Sequence, residues 1–184
     1  MNADEDYEWH DGPNPMVPVA QPYLRDVPLL RAPGRADLLQ VLWCPFEHDP
    51  DYKPPTALFW RSSAEVTDIL AAPPGPFAVE YDGYLPRPCV LAPEVGGWPR
   101  WGLTDPVARF CTAYGAKMVP LLTIASSEWD SSNTTWVPYE DRDTASLDGG
   151  DATNPPAVQV SRSNRLQLYV CPESPDHPHT DLIQ

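Results

Sequence analysis

Residues 39–45 are Leu-Gln-Val-Leu-Trp-Cys-Pro, and residues 166–172 are Leu-Gln-Leu-Tyr-Val-Cys-Pro. Four of the seven aligned positions are identical, and the other three stay apolar. Short apolar runs that end at a proline are typical of buried β-strands. Each run then enters an acidic loop that holds a histidine and a proline, at 47–50 and at 176–178. The repeat therefore predicts two related β units, whose strands pair across a pseudo-twofold axis and bury both runs in one core.

The chain has 25 prolines among its 184 residues, which limits the length of every regular element. Proline removes a backbone donor and breaks both helix interiors and central strands. This excludes a bundle of long helices. With 42% hydrophobic residues and seven tryptophans, the chain nevertheless has enough apolar side chains for a packed core. We therefore expect an α+β fold, predominantly antiparallel β, with duplicated sheet-rich halves and few short helices.

The element boundaries follow from periodicity and from turn residues. We expect an acidic, Pro-rich, loosely ordered arm at 1–22, followed by a single domain at 23–184 built of two half-repeats, about 37–92 and 93–184. Ser62 and Glu65 fit a capping box, which predicts a helix from 62 to about 72, before Pro73. An ordered irregular loop is expected at 86–106 and a mobile insertion at 140–156. Strands are predicted at 37–43, 56–61, 77–81, 118–125, 158–160 and 165–170, the last two as a hairpin with a turn at 161–164.

The formal net charge is −14, from 26 acidic and 12 basic residues. Such a surface repels phosphate backbones and anionic lipid, so neither a nucleic acid nor a membrane is expected as a partner. A basic protein partner is electrostatically favoured. The acidic N-terminus lacks the basic and apolar regions of a secretory signal, and no run approaches the ~18 apolar residues of a membrane span. We therefore expect a cytoplasmic protein.

A motif in the middle of the chain resembles a known family. It is Val95-Gly96-Gly97-Trp98-Pro99-Arg100-Trp101, which is similar to the Gly-Gly-x-Pro-x-Trp signature of the YwqG-like proteins of unknown function. Their eukaryotic relatives include programmed cell death protein 2. The order of the following segments is also similar, with Cys111, then Met118-Val119-Pro120-Leu121-Leu122, then the terminal Leu168-Tyr169-Val170-Cys171-Pro172.

The resemblance extends from about Leu38 to Gln184 and implies an α+β protein rich in antiparallel sheet. It supplies no reaction. For the eukaryotic relatives it implies binding of a protein client, with a chaperone role towards a basic ribosomal protein. Many relatives have Cys-x-x-Cys-Gly where this chain has Cys111-Thr112-Ala113-Tyr114-Gly115. Because the second thiol is missing, a zinc knuckle is not expected within that segment.

Aromatic and amide side chains supply the candidate binding residues. Tryptophans in the Gly-Gly-Trp-Pro-x-Trp loop could anchor a partner, or they could fill the core beside a tight glycine turn. The glutamines of the two repeated strands have amides that could pair with the backbone of a client or within their own sheet. We expect the contact region in a groove between the two halves. The candidate binding residues are Gly96, Gly97, Trp98, Trp101, Gln40, Gln167 and Trp129.

Four cysteines are spread along the chain without Cys-x-x-Cys spacing, and buried inert thiols are the expectation for them. If the two halves pair, however, Cys44, His48, Cys171 and His177 have the ligand types of a Cys2His2 zinc site. The alternative is that the cysteines end buried strands while the histidines lie in solvated loops. The 141–151 acidic loop lacks the ligand pattern of an EF-hand.

We find no P-loop, Rossmann glycine pattern, HExxH or GxSxG sequence. The prediction is therefore a non-enzymatic module, without a cofactor, that binds a polypeptide client. Two other classes stay open. One is an immunity-type protein that neutralises a toxin, and the other is a metal-dependent or hydrolytic enzyme.

Overall fold

The computed structural model describes residues 12–48, 50–89, 101, 105–128, 153–161 and 163–184. The strands in this part of the chain are β1 (Val17–Ala20), β2 (Leu38–Trp43), β3 (Thr56–Arg61), β4 (Val119–Ala125), β5 (Arg165–Val170) and β6 (Thr180–Ile183). Its helical content is two 3₁₀ segments of three residues, Ser63–Glu65 and Asp82–Tyr84. The fold is thus predominantly antiparallel β. None of the described helices has the length and apolar character needed to cross a bilayer.

The six strands form two separate antiparallel sheets, with the orders β1-β2-β3 and β4-β5-β6. The two repeated sequence runs are the central strands, β2 and β5. A central strand is hydrogen-bonded along both edges. Its interior therefore excludes proline, which has no N–H to donate, and in each run the proline comes only after the strand has ended. The two runs therefore lie in different sheets, and the prediction that their strands pair with each other is wrong.

The inner faces of the two sheets share one hydrophobic core. Because side chains alternate along a strand, Leu39 and Val41 of β2 face the same cluster as Leu166 and Leu168 of β5, and each is at most 1% exposed. Packing of two sheets face to face buries both runs without any backbone bond between them. Aligned positions of the two runs face the same interior, and the predicted shared core is confirmed.

Strand β5 is buried on its other face as well. Gln167 is 1% exposed, and Tyr169 packs with Cys111, Met118 and Cys171 in a second, smaller cluster. The register of β4 shifts between Pro120 and Leu122, so a bulge accommodates the proline that cannot donate to the ladder. The 111–118 segment thus covers the outer face of the second sheet.

Part of the predicted N-terminal arm belongs to the first sheet. Val17 is 7% exposed and pairs with Trp43, so 17–20 is an edge strand, where Pro18 is tolerated. This corrects the prediction that 1–22 is loosely ordered throughout and extends the first sheet upstream of 37. Residues 1–11 lie outside the described part.

The predicted helix at 62–72 is wrong. Only Ser63–Glu65 form a 3₁₀ turn, and the Ser62 side chain makes no capping bond. The backbone N–H and the hydroxyl of Ser63 instead donate to the carboxylate of Asp37. An amphipathic helix needs a surface that buries its apolar stripe, but Ile69 and Leu70 remain 81% and 65% exposed.

The predicted strands at 77–81 and 158–160 are also wrong. Asn14 binds the first of these segments: its Oδ1 accepts from the Phe77 N–H at 2.8 Å and its Nδ2 donates to the Ala78 carbonyl at 2.9 Å. In the second segment, the Val160 N–H donates to Ser126 Oγ at 2.7 Å. Strand β5 takes β4 and β6 as partners, so a single bridge from Val160 remains of the expected hairpin. The loop predicted at 86–106 and the insertion predicted at 140–156 lie largely outside the described residues.

Candidate functional site

The first candidate is an open groove beside strand β3. In the described part of the chain, β3 is paired with β2 alone, so its other edge has no strand partner. Residues 58–61 form one wall and residues 175–179 the other, around a volume of about 330 Å³. We call this the edge groove. Phe59 is 40% exposed there, and the Arg61 guanidinium lies 5.5 Å from its ring centroid.

A second cavity, of about 310 Å³, continues along the same junction between the sheets. Lys53 Nζ lies 2.8 Å from Asp51 Oδ2 and 2.7 Å from Asp181 Oδ1. Thr56 Oγ1 donates to Asp181 Oδ2 at 2.8 Å and lies 2.9 Å from His179 Nε2. Since a hydroxyl has a single proton, His179 Nε2 is the donor in that second contact. The network ties the end of the first sheet to the beginning of β6.

The electrostatics of this junction favour a fixed structure. Burial lowers the pKa of Lys53, but hydrogen bonds to Asp181 and Asp51 outweigh it, and the net shift is upward. Burial lowers the pKa of His179, against a smaller upward effect of Asp181. The lysine is thus charged and paired while the histidine is neutral at pH 7. Because Lys53, Asp181, Thr56 and His179 are bound to one another by ion pairs and hydrogen bonds, we assign them a structural role.

The two glutamines do not line a groove between the halves. The Gln40 amide is engaged on the outer face of the first sheet, where its Nε2 donates to Gln21 Oε1 and its Oε1 accepts from Arg61 Nε, both at 2.9 Å. Gln167 is buried and accepts from Tyr169 Oη at 2.6 Å. A groove does lie between residues of the two predicted halves, namely the edge groove, whose walls are 58–61 and 175–179. Neither glutamine lines it.

The aromatic loop is mostly outside the described residues. This applies to Gly96, Gly97, Trp98 and Trp129, so their predicted binding role stays a prediction. Trp101 is described and is partly buried. Of the strand tryptophans, Trp60 contributes to the wall of the edge groove. Its indole Nε1–H is buried and has no hydrogen-bond partner within the described residues.

The four predicted metal ligands form two separate pairs. Cys44 Sγ lies 3.4 Å from His48 Nε2, and Cys171 Sγ lies 3.3 Å from His177 Nδ1. Each pair follows its central strand, as the repeat predicts. Among the described residues, the two pairs do not combine into a four-ligand group. The Cys2His2 arrangement is thus wrong, and the Cys–His contact within each half is a feature that the sequence analysis did not predict.

A third ligand joins the second pair from a distant part of the sequence. Cys111 Sγ lies 3.5 Å from His177 Nδ1, and the ligand atoms of Cys111, Cys171 and His177 all lie within 4.8 Å of one another. We call this group the Cys2His cluster. Cys111 is held by a turn in which its carbonyl accepts from the Gly115 N–H at 2.7 Å, and Gly115 has the positive φ of 73° that glycine adopts without strain. Sequence reasoning missed Cys111 because its partners are sixty residues away.

The two thiols that follow the central strands differ in acidity. Burial raises the pKa of Cys44. Burial also raises that of Cys171, but hydrogen bonds from His177 and from the backbone N–H groups of Ser174 and Glu173 outweigh it and bring the pKa to about 7. Hydrogen bonds to the charged form stabilise a thiolate. Cys171 is therefore the more acidic of the two thiols.

Comparisons with protein-family models, with curated proteins and with solved structures found no match to this chain.

Proposed function

We propose that this chain is a non-enzymatic interaction module that binds an extended, basic segment of another polypeptide in the edge groove. The observation that supports this most directly is the edge of β3, which has no strand partner in the described part of the chain and faces an open groove. Unpaired backbone groups at a sheet edge can bind an extended peptide as an additional strand.

Side chains along the groove support the same proposal. Phe59 offers an exposed aromatic surface, and such residues are common anchors in protein interfaces because they lose little entropy when fixed. Pro175 and Pro178 form much of the opposite wall. A bound strand would thus contact apolar surface on both sides and backbone along β3.

The charge of the chain supports the choice of a basic segment. A net charge of −14 attracts cations and steers a basic chain towards the surface before contact. Asp176 places a carboxylate in the groove wall. Arg61 also lies in this wall, but its Nε donates to Gln40. We therefore expect salt to weaken the association.

Two further elements of the proposal come from the sequence. The aligned faces of β2 and β5 support a duplication of one three-stranded unit. The resemblance of the 95–101 motif to the YwqG-like signature supports a role as a chaperone or adaptor, which we propose to be cytoplasmic.

The test uses the full chain and a synthetic peptide of roughly ten residues that alternates lysine and valine, so that one face is basic and one apolar. Binding is measured by isothermal titration calorimetry at two salt concentrations. We expect Phe59→Ala to weaken binding about tenfold, the cost of losing a moderate anchor. Leu70→Ala, which removes an exposed leucine outside the groove, is the matched control and should bind as the unmodified chain does.

A second peptide separates strand addition from simple charge attraction. Methylation of alternate backbone nitrogens keeps the charge of the peptide but removes the donors that pair with β3. We expect this peptide to lose most of its affinity. Equal affinity of the methylated peptide, or an unchanged affinity of Phe59→Ala, would contradict the proposal.

A further inference from the structure

The Cys2His cluster lies where the second sheet meets the segment that covers it. Cys111 and Cys171 are each 2% exposed, whereas His177 is only partly buried and also lines the edge groove. The ring of Tyr114 stacks on His177, with 6.0 Å between centroids and 30° between planes. Three soft or borderline donors therefore converge from the 111–117 turn, the end of β5 and the 175–179 loop.

The distances between these donors match those of a metal centre. In a tetrahedral zinc site, bond lengths near 2.3 Å to sulfur and 2.0–2.1 Å to nitrogen place sulfur and nitrogen about 3.5 Å apart. The two distances from His177 Nδ1 to the sulfurs are 3.3 and 3.5 Å. The three side chains could therefore bind one ion with little displacement.

The backbone after Cys171 provides hydrogen-bond donors that surround its sulfur. Backbone N–H groups of Glu173 and Ser174 point at its sulfur from the residues directly after Pro172. Such donors satisfy the charge of a thiolate and orient it, as outer-shell groups do in metal sites.

We propose that Cys111, Cys171 and His177 bind one Zn²⁺ ion, with water in the fourth position on the side of the edge groove. Zinc is the metal that this donor set favours, since thiolate and imidazole ligands in a tetrahedral arrangement are typical of it. The ion joins the covering 111–117 turn to the end of β5 and to the 175–179 wall of the groove. Its role is to fix that wall.

The chain contains a matched control for this site. Cys44 and His48 form a similar Cys–His contact at 3.4 Å, but no third ligand completes the group within the described residues. Metal binding should thus depend on Cys111, Cys171 and His177 and be indifferent to Cys44.

The experiment titrates Co²⁺ into the metal-free full chain, carried on a tag without histidine or cysteine. We expect one equivalent to give the visible bands of tetrahedral cobalt and a near-ultraviolet thiolate-to-cobalt band, both displaced by one equivalent of Zn²⁺. Cys171→Ser, Cys111→Ser and His177→Ala should each weaken binding by more than the roughly 100-fold that loss of an outer-shell group can cause. Cys44→Ser should bind as the unmodified chain does.

A second measurement needs no variant. Zn²⁺ should protect Cys111 and Cys171 from alkylation, as located by peptide mass spectrometry, while Cys89, which is exposed, stays reactive. Absence of the thiolate-to-cobalt band, equal protection of Cys44, or an equal loss of affinity in Cys44→Ser would overturn the proposal. Peptide binding in the edge groove is measured in a separate experiment, so failure of the zinc site and failure of the peptide proposal are distinguishable.

Discussion

At the scale of single residues, Asp37 shows how a local sequence signal was overridden. The Ser62–Glu65 pattern predicts a capping box, yet the Asp37 carboxylate accepts from both the N–H and the hydroxyl of Ser63. These bonds lower the pKa of Asp37. A carboxylate twenty-six positions away thus fixes the start of the turn, and no pattern within 62–65 contains that information.

We predict a pH-dependent effect of Asp37→Asn. The unfolded chain protonates this carboxyl at a pH where the folded chain keeps it ionised, so the unfolded state binds more protons and the free energy of unfolding falls as the pH drops. The substitution should lower stability at pH 7 and flatten the loss between roughly pH 5 and 3. Urea denaturation across that range measures both effects.

Asp26→Asn is the control for Asp37→Asn. Asp26 has a largely exposed side chain and its ion pair with Arg25 is long, at 3.7 Å. Exposed pairs of this kind contribute little to stability. If the free energy of unfolding of Asp37→Asn and of the unmodified chain fell in parallel with pH, the bonds to Ser63 would not lower the pKa of Asp37 in the folded state, and the prediction would be contradicted.

At the scale of elements, strands β2, β3, β4 and β5 were predictable because their apolar runs are bounded by proline and by polar turns. The 62–72 helix was not, since a helix of that length depends on a surface to pack against. Val158 and Val160 are buried as a strand pattern predicts, but their neighbours in space are not the next strand in sequence. Periodicity indicates burial more reliably than it indicates pairing.

We predict different outcomes for a buried and an exposed aliphatic residue. Leu168→Ala in β5, where the side chain is fully buried, should lower the free energy of unfolding by about 2–5 kcal/mol. Ile69→Ser, in the exposed segment, should change it by no more than about 0.5 kcal/mol. Chemical denaturation followed by far-UV circular dichroism measures both. A large loss for Ile69→Ser would mean that the 66–72 segment packs on a surface.

At the scale of the whole molecule, the repeated runs indicated the shared core, but they did not indicate which strands are neighbours. The sites depend on contacts between remote parts of the sequence. Cys111 meets Cys171 across sixty positions, and Thr56 meets Asp181 across 125. The spacing of residues in the sequence does not indicate such long-range contacts. Strands could be predicted because their apolar pattern lies within a few consecutive residues.

We predict that the two sheets unfold as one unit, because their inner faces are the two sides of a single core. Leu39→Ala in the first sheet and Leu166→Ala in the second should each lower the free energy of unfolding by about 2–5 kcal/mol and move a single transition to lower denaturant concentration. Tryptophan fluorescence, which reports on the seven tryptophans together, and circular dichroism should give coincident midpoints. Leu29→Ala, at an 81% exposed position, is the control.

Separate midpoints for the two signals would contradict a single unit. So would a variant in one sheet that leaves the other sheet folded.

The burial of β5 on both faces limits how this gene can change in length. One added codon between Leu166 and Gln167 would shift the rest of the strand by one position and so turn each later side chain to the opposite face. The Gln167 amide would then enter the apolar interior, Leu168 would take the place of Tyr169, and Val170 would take that of Cys171. Insertions in the exposed stretch after β3 carry no such penalty, so natural variants should differ in length there and keep β5 at six residues.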